Sequence, residues 1–341
     1  MEVTTSAPAA CSGGGRGSGV GGAKAEARGG GGGGGGSPLQ QQEQAEQWKS
    51  SMAKQKPKYR STTFSITFGD RAENHVGMQM IGTLAPEGFS HADLLAAQAK
   101  LEGYGVATEL VALHDNLPAE HVIPGLESWI LIGRNAAAAI LASSSSMEGE
   151  EGGEAADEAD GAAVGSAGTA DDLYREQMAL TVDKKAKMRG RVVNKHARWN
   201  VCYGAASQEP DYEAGKGRVV AFAEVPLVGK LRANLPLIAG PKAEGLQGEL
   251  NKYYDVAQCG IGFHGDSERK LVACFRLGAS TPLHYQWFVR SASVGERVKL
   301  TLHHGDFYMM SEKATGFDWK KKIIPTLRHA AGAHKFLVIK K

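Results

Sequence analysis

The sequence predicts an α+β chain in which a barrel of β-strands, buttressed by helices, occupies the C-terminal half behind a small α/β unit. Three observations predict it. Between Asp266 and His329 lie three short apolar segments, LVACFRLG, PLHYQWFVR and VKLTLHHGDFYMM, bounded by turn residues as strands are. His264 and Asp266 open that run and His329 ends it, and ligands on an early and a late strand need such strands between them. Upstream, low-complexity segments separate this half from residues 59–142, whose pattern passes from alternating to helical.

Residues 1–58 contain GGGRGSGVGG, a run from Gly29 to Gly36 and LQQQEQAEQ. They can bury too little apolar surface to offset chain entropy and read as a disordered tail. TTFSITFGD then alternates like a half-buried strand and ends in a Gly-Asp turn. SHADLLAAQAKLEGYG opens with a Ser cap, keeps helical spacing and stops at Gly103 or Gly105. VATELVALHD and ESWILIGRNAAAAILA supply a strand and then a helix, which completes a small α/β unit of unknown role over 59–142, packed on the barrel. The cluster Asp70-Arg71-Ala72-Glu73-Asn74-His75 reads as turn chemistry, with Asn74 and His75 as candidates for lining a groove.

Residues 143–172 hold SSSS and then seven acidic residues between Glu148 and Asp160, a solvated acidic linker that could shield a basic face of the same chain. The domain 173–341 follows. Its Lys184, Lys185, Lys187, Arg189, Arg191, Lys195, His196 and Arg198 form a basic stretch with Trp199 and Tyr203 close behind. Cations for phosphates beside flat rings for bases suit a nucleic-acid cleft, against a basic surface strand with Trp199 in the core. VPLVGKLRANLPLIAG and AEGLQGELNKYY read as helices outside the barrel, Pro236 breaking the first.

Composition narrows the class. From Leu173 to Lys341 there are about 28 Lys+Arg against about 15 Asp+Glu, a surplus that fits a polyanionic partner. Four cysteines without a C-x-x-C pair make neither a disulfide framework nor a zinc site. With no apolar run near membrane length and no hydrophobic signal core, an intracellular protein of nucleus or cytoplasm is expected, organelle targeting staying open. No membrane and no obligate protein partner is expected.

His264 and Asp266, if on a strand, project from the same face and can meet one ion, with His329 as third ligand. Two histidines and one carboxylate leave three open positions, as non-haem Fe(II) oxygenases require. HGD occurs twice, again at His304 to Asp306, and chance alone gives roughly one His-x-Asp/Glu in such a chain. Only 23 residues separate Asp306 from His329, too few for the intervening strands, so Gly305 and Asp306 read as a turn feeding FYMM.

In this order the segments resemble the AlkB-like branch of the Fe(II)/2-oxoglutarate dioxygenases. IGFHGDSER resembles the family's H-x-D strand, CFRLGAS its S-L-G strand, HHGDFYMM its H-G-D/S strand and TLRHAAG the strand of the distal His. Asn251 with Tyr253 or Tyr254 resembles its N-x-Y, and NKHARWNVCYG its P-R-x-x-x-x-Y-G segment at the substrate cleft, so the likeness spans about Arg191 to Lys341. It implies a double-stranded β-helix (jelly-roll) barrel. It also implies that His264, Asp266 and His329 hold Fe(II), while Asn251 and Tyr253 or Tyr254 touch the co-substrate 2-oxoglutarate. The family's closing R-x-x-x-x-x-R is replaced by Lys335 and Lys341, point charges without the bidentate fork. Lys335 is the expected partner of the distal carboxylate, with Lys341, Arg276 or Arg328 in reserve.

The activity so implied is a reaction of O2 and 2-oxoglutarate that oxidatively demethylates an N-alkylated nucleobase of DNA or RNA, flipped out or single-stranded. Tyr285 and Trp287 join His196, Arg198, Trp199 and Tyr203 as candidate substrate residues, and which face of LHYQWF looks inward stays open. The alternative is a 2-oxoglutarate-dependent hydroxylase of a protein or small molecule. A non-enzymatic binding module is the third reading, against which the intact His-x-Asp and distal His weigh.

Overall fold

The computed structural model describes residue 59, residues 61–143 and residues 168–339. The expected N-terminal tail, most of the acidic linker and Lys341 lie outside them. The described chain is mixed α+β, with helices on one side of a large sheet and a smaller sheet on the other.

The large sheet has eight strands in the order β4 (Thr108–Ala112), β5 (Trp129–Gly133), β15 (Phe307–Met310), β12 (Val272–Gly278), β1 (Thr63–Gly69), β10 (Gln247–Tyr253), β8 (Trp199–Gly204) and β9 (Val219–Ala221). The small sheet orders β11 (Gly260–His264), β16 (Thr326–Gly332), β13 (Thr281–Val289) and β14 (Ala292–Leu302). Two hairpins stand apart, β2 (Arg71–Glu73) with β3 (Met80–Gly82) and β6 (Lys185–Met188) with β7 (Arg191–Asn194). Strand hydrogen bonding among the described residues stays within these separate sheets, so the expected strand-rich α+β class is present as two packed sheets with no closed barrel among those residues.

Alternation explains the layering. On β1, Phe64, Ile66 and Phe68 are fully buried beneath the helices, while Thr63, Ser65 and Thr67 point the other way. The helical layer comprises α1 (His91–Gly103), α2 (Ala137–Ala142), α3 (Ala170–Ala179) and α4 (Pro226–Ala239). It places Leu94, Leu101, Ile140, Leu173, Leu231 and Leu235 in that core. A second core fills the space between the sheets. Ile130, Ile132, Val272 and Met310 of the large sheet meet Leu283, Tyr285, Trp287 and Leu327 of the small one. Each such side chain contributes roughly 1.5–3 kcal/mol on burial.

The helix α1 starts as its sequence predicts, with a reciprocal capping box between Ser90 and Asp93. Four expectations change. Residues 59–142 are not a separate unit, because β1 lies in the middle of the large sheet between β12 and β10, and β4 and β5 form its edge. QGELNKY is the strand β10 and not part of a helix: Leu250 faces the helical core while Glu249, Asn251 and Tyr253 line a cavity on the other side. Pro236 does not break its helix but sits in the last turn of α4, which ends at Gly240 with φ +75°. The helix α3 also begins at Ala170, inside the expected linker, with Thr169 as its cap.

The second HGD is a turn, as its position predicts. Gly305 has φ +84°, and buried Asp306 accepts from the backbone of His303 at 2.9 Å and Asn135 at 3.0 Å and from Arg134 at 2.8 Å. No helix of the described residues is long and apolar enough to cross a membrane.

Candidate metal centre

A cavity of about 510 Å³ opens between the two sheets. Its floor is set by strand register. Asn251 on β10 pairs with Ser65 on β1, and Ser65 pairs with Arg276 on β12, so the three form one row across the sheet. The next row carries Glu249, Thr67, Cys274 and Tyr308. The opposite wall comes from the small sheet, where His264 pairs with His329 and His329 with Tyr285.

His264, Asp266 and His329 offer one ligand atom each, all within 4.8 Å of one another. The Nε2 atoms of His264 and His329 are each 3.5 Å from the Asp266 Oδ1. The His264 Nδ1 faces the carbonyls of Gly262 at 2.8 Å and His329 at 3.1 Å, which fixes the ring with Nε2 on the Asp266 side. Asp266 is not on the strand, as its spacing suggested, for β11 ends at His264. Gly265 turns the chain there: a Cβ would lie 2.1 Å from the Gly316 carbonyl oxygen. Backbone packing thus demands glycine between the two ligands.

Burial opposes ionisation of Asp266, yet hydrogen bonds from His264 and His329 and the Arg269 charge hold its carboxyl well below the usual range. Burial and the neighbouring His264 push His329 down. An ionised carboxylate beside an imidazole whose protonation burial disfavours suits ligation of a divalent metal.

Other expected residues divide by strand face. Asn251 and Tyr253 line the cavity. Tyr254 does not: it stacks on Trp199 at 4.3 Å and donates to the His196 carbonyl at 2.7 Å. The Asn251 Oδ1 accepts from Arg198 Nε at 2.7 Å and its Nδ2 donates to Glu249 at 2.9 Å. Arg276 also lines the cavity, 4% exposed, with Nε and Nη2 buried and unpartnered and its guanidinium 5.5 Å from the Tyr253 ring centre.

Lys335 is a correction: it is exposed on the short helix after β16, its ammonium over the Phe336 ring, and does not line the cavity. Arg328 lies on the outward face of β16 against Phe288 at 4.1 Å. Among the substrate candidates, Arg198 reaches the cavity and His196 is exposed. Trp199 and Tyr203 are corrections, since β8 turns them to the helix side, where Tyr203 is fully buried and donates to Gln177. Tyr285 and Trp287 face inward as core. The Trp287 indole donates to the Leu113 carbonyl at 2.8 Å, and the Tyr285 ring lies 5.8 Å from His329.

The cavity also contains residues the sequence reading passed over: Ser65, Glu249, Phe263, Arg269, Tyr308 and Trp319. A detectable signal existed for Ser65 and Thr67, polar positions recurring every second residue in an apolar strand. Glu73, Asn74 and His75 line the rim, as a groove-lining role for the last two would have them.

No protein-family model matches the chain. It is 42% identical over 275 residues to the Uncharacterized protein R156 of Acanthamoeba polyphaga mimivirus, an alignment covering 81% of this chain and 97% of the viral protein. The chain therefore belongs to the same family as that mimivirus protein.

Proposed function

We propose that this chain is an AlkB-like, Fe(II)- and 2-oxoglutarate-dependent dioxygenase whose two packed sheets form a double-stranded β-helix. One observation carries the reading: a His-Asp-His cluster and a buried arginine with two unpartnered guanidinium nitrogens line the same cavity. The donor set fits Fe(II), with two imidazoles, one carboxylate and room for three further ligands. The unmatched Arg276 fits the distal carboxylate of 2-oxoglutarate, a role the exposed Lys335 does not fill.

When bound, Fe(II) with 2-oxoglutarate and O2 supplies oxidative decarboxylation to succinate and CO2, coupled to hydroxylation of a substrate C–H bond. The protein's part is placement. Asn251, locked by Arg198 and Glu249, and Tyr253 line the cavity with Arg276 and would hold the co-substrate there. The apolar core around Tyr285 and Leu327, next to His329, would keep water from the side of a metal held there.

The proposed substrate is an N-methylated nucleobase in DNA or RNA, whose hydroxylated methyl leaves as formaldehyde. The basic stretch leading to Arg198 supports it, as do Phe263 and Trp319 in the cavity wall; the buried Trp319 Nε1 lacks a partner. A second reading, hydroxylation of a protein or small molecule, is favoured by one observation: Trp199 and Tyr203 turn away from the cavity.

The test is succinate release with Fe(II), 2-oxoglutarate and methylated oligonucleotides. Turnover should require oligonucleotide and vanish in His264→Ala. Turnover that survives the substitution would overturn the metal assignment, and succinate released equally without oligonucleotide would overturn the substrate.

A further inference from the structure

Arg269 is a buried cation three residues beyond Asp266, on the loop joining β11 to β12, and only 4% exposed. Its Nη2 donates to Glu249 Oε2 at 2.5 Å and to Glu268 Oε1 at 2.9 Å. Its Nε donates to Glu268 Oε1 at 3.2 Å and lies 3.8 Å from the Asp266 Oδ2 as an ion pair, and its Nη1 is buried without a partner. A guanidinium so enclosed is costly unless its charge is matched, and an apolar side chain would satisfy packing alone.

The arrangement makes the two oxygens of Asp266 different. Oδ1 lies 3.5 Å from both histidine Nε2 atoms, whereas Oδ2 is turned to Arg269. A carboxylate can bind a divalent cation through one oxygen or two. Binding through two would consume a position that a chelating keto acid and O2 both need. Glu249 extends the link, since its other oxygen accepts from Asn251 Nδ2 at 2.9 Å. One carboxylate thus ties the Asp266 side of the centre to the floor of the cavity.

We infer that Arg269, gripped by Glu249, is a positioning residue that reserves Oδ2 of Asp266 and keeps this carboxylate a one-oxygen metal ligand. The inference rests on the reading of His264, Asp266 and His329 as a metal centre.

The experiment is a Co(II) titration of the full chain, read by calorimetry and by visible d–d absorption, on the wild type, Arg269→Met, Arg269→Lys and His264→Ala. Arg269→Met should bind Co(II) about 10–100-fold more weakly, the range for an outer partner of a metal ligand. Its d–d bands should change in position and intensity as the coordination number rises. Arg269→Lys, which keeps the charge, should recover part of both. A folded Arg269→Met with affinity within about twofold of wild type and a superimposable spectrum overturns the inference. If Arg269→Met does not fold, Glu249→Gln decides in the same way, an altered spectrum supporting the inference and an unaltered one sinking it. His264→Ala separates the two levels: wild-type Co(II) binding there removes the metal centre itself, whereas its loss beside an unaffected Arg269→Met removes only the role of Arg269.

Discussion

Replacing Arg276 by methionine should produce two opposite effects. In the free protein Nε and Nη2 are buried without partners, and each unmet donor costs roughly 1–3 kcal/mol. Methionine keeps most of the aliphatic length and removes both donors. The free variant should therefore be at least as stable as wild type, with Tm unchanged or raised by roughly 2–4 °C per kcal/mol recovered. Binding of 2-oxoglutarate should weaken, because a charged hydrogen bond contributes about 1.5–3 kcal/mol. At about 1.4 kcal/mol per decade this is roughly a 10- to 150-fold rise in Kd. Calorimetric titration of 2-oxoglutarate into Mn(II)-loaded protein without O2, beside thermal unfolding of the free chain, reads both. Unchanged affinity, or a free variant clearly less stable than wild type, refutes the assignment. Lys335→Ala should leave the affinity within about twofold.

Gly265→Ala should cost about 1–3 kcal/mol or more, because its Cβ meets the Gly316 carbonyl at 2.1 Å, and should abolish metal binding; wild-type Tm and Co(II) affinity would show that the loop yields freely. Burial, with the carboxylates of Glu268 and Glu249 nearby, pushes Glu73 up to about 7 from 4.5. Between those values the folded chain holds a proton that the unfolded chain releases, so stability is lost as pH rises through about 7. Glu73→Gln should flatten that fall in Tm between about pH 5 and 8, and an unchanged slope would clear Glu73 of the effect. Tyr203→Phe deletes a buried hydroxyl bonded to Gln177 and should cost about 1 kcal/mol with turnover intact; lost turnover at full stability would return Tyr203 to the substrate cleft.

The His264, Asp266 and His329 cluster was readable as a grouping because His-x-Asp is local and because strand count separated the two HGD sites. What escaped was decided by orientation. Alternation in WNVCYG reveals that Trp199 and Tyr203 share a face, but only packing reveals that this face meets the helices. GELNKYY misled because leucine, glutamate and lysine are good helix formers, and the pairing of β10 with β1 and β8 overrode that preference. Lys335 fitted a spacing, yet the chain leaves β16 at Gly332 and carries it to the surface. Arg276 stood open in the text as one reserve among several cations. Its isolation is visible only when its neighbours are known.

The position of β1 has a consequence for how the molecule can be made. The first strand of the described residues waits for β10 and β12, nearly two hundred residues later, before both its edges are paired. Until then β1, and in a fragment lacking it β10 and β12, would present naked backbone to any passing chain. Expression of residues 173–341 alone should therefore give aggregate rather than a smaller working protein.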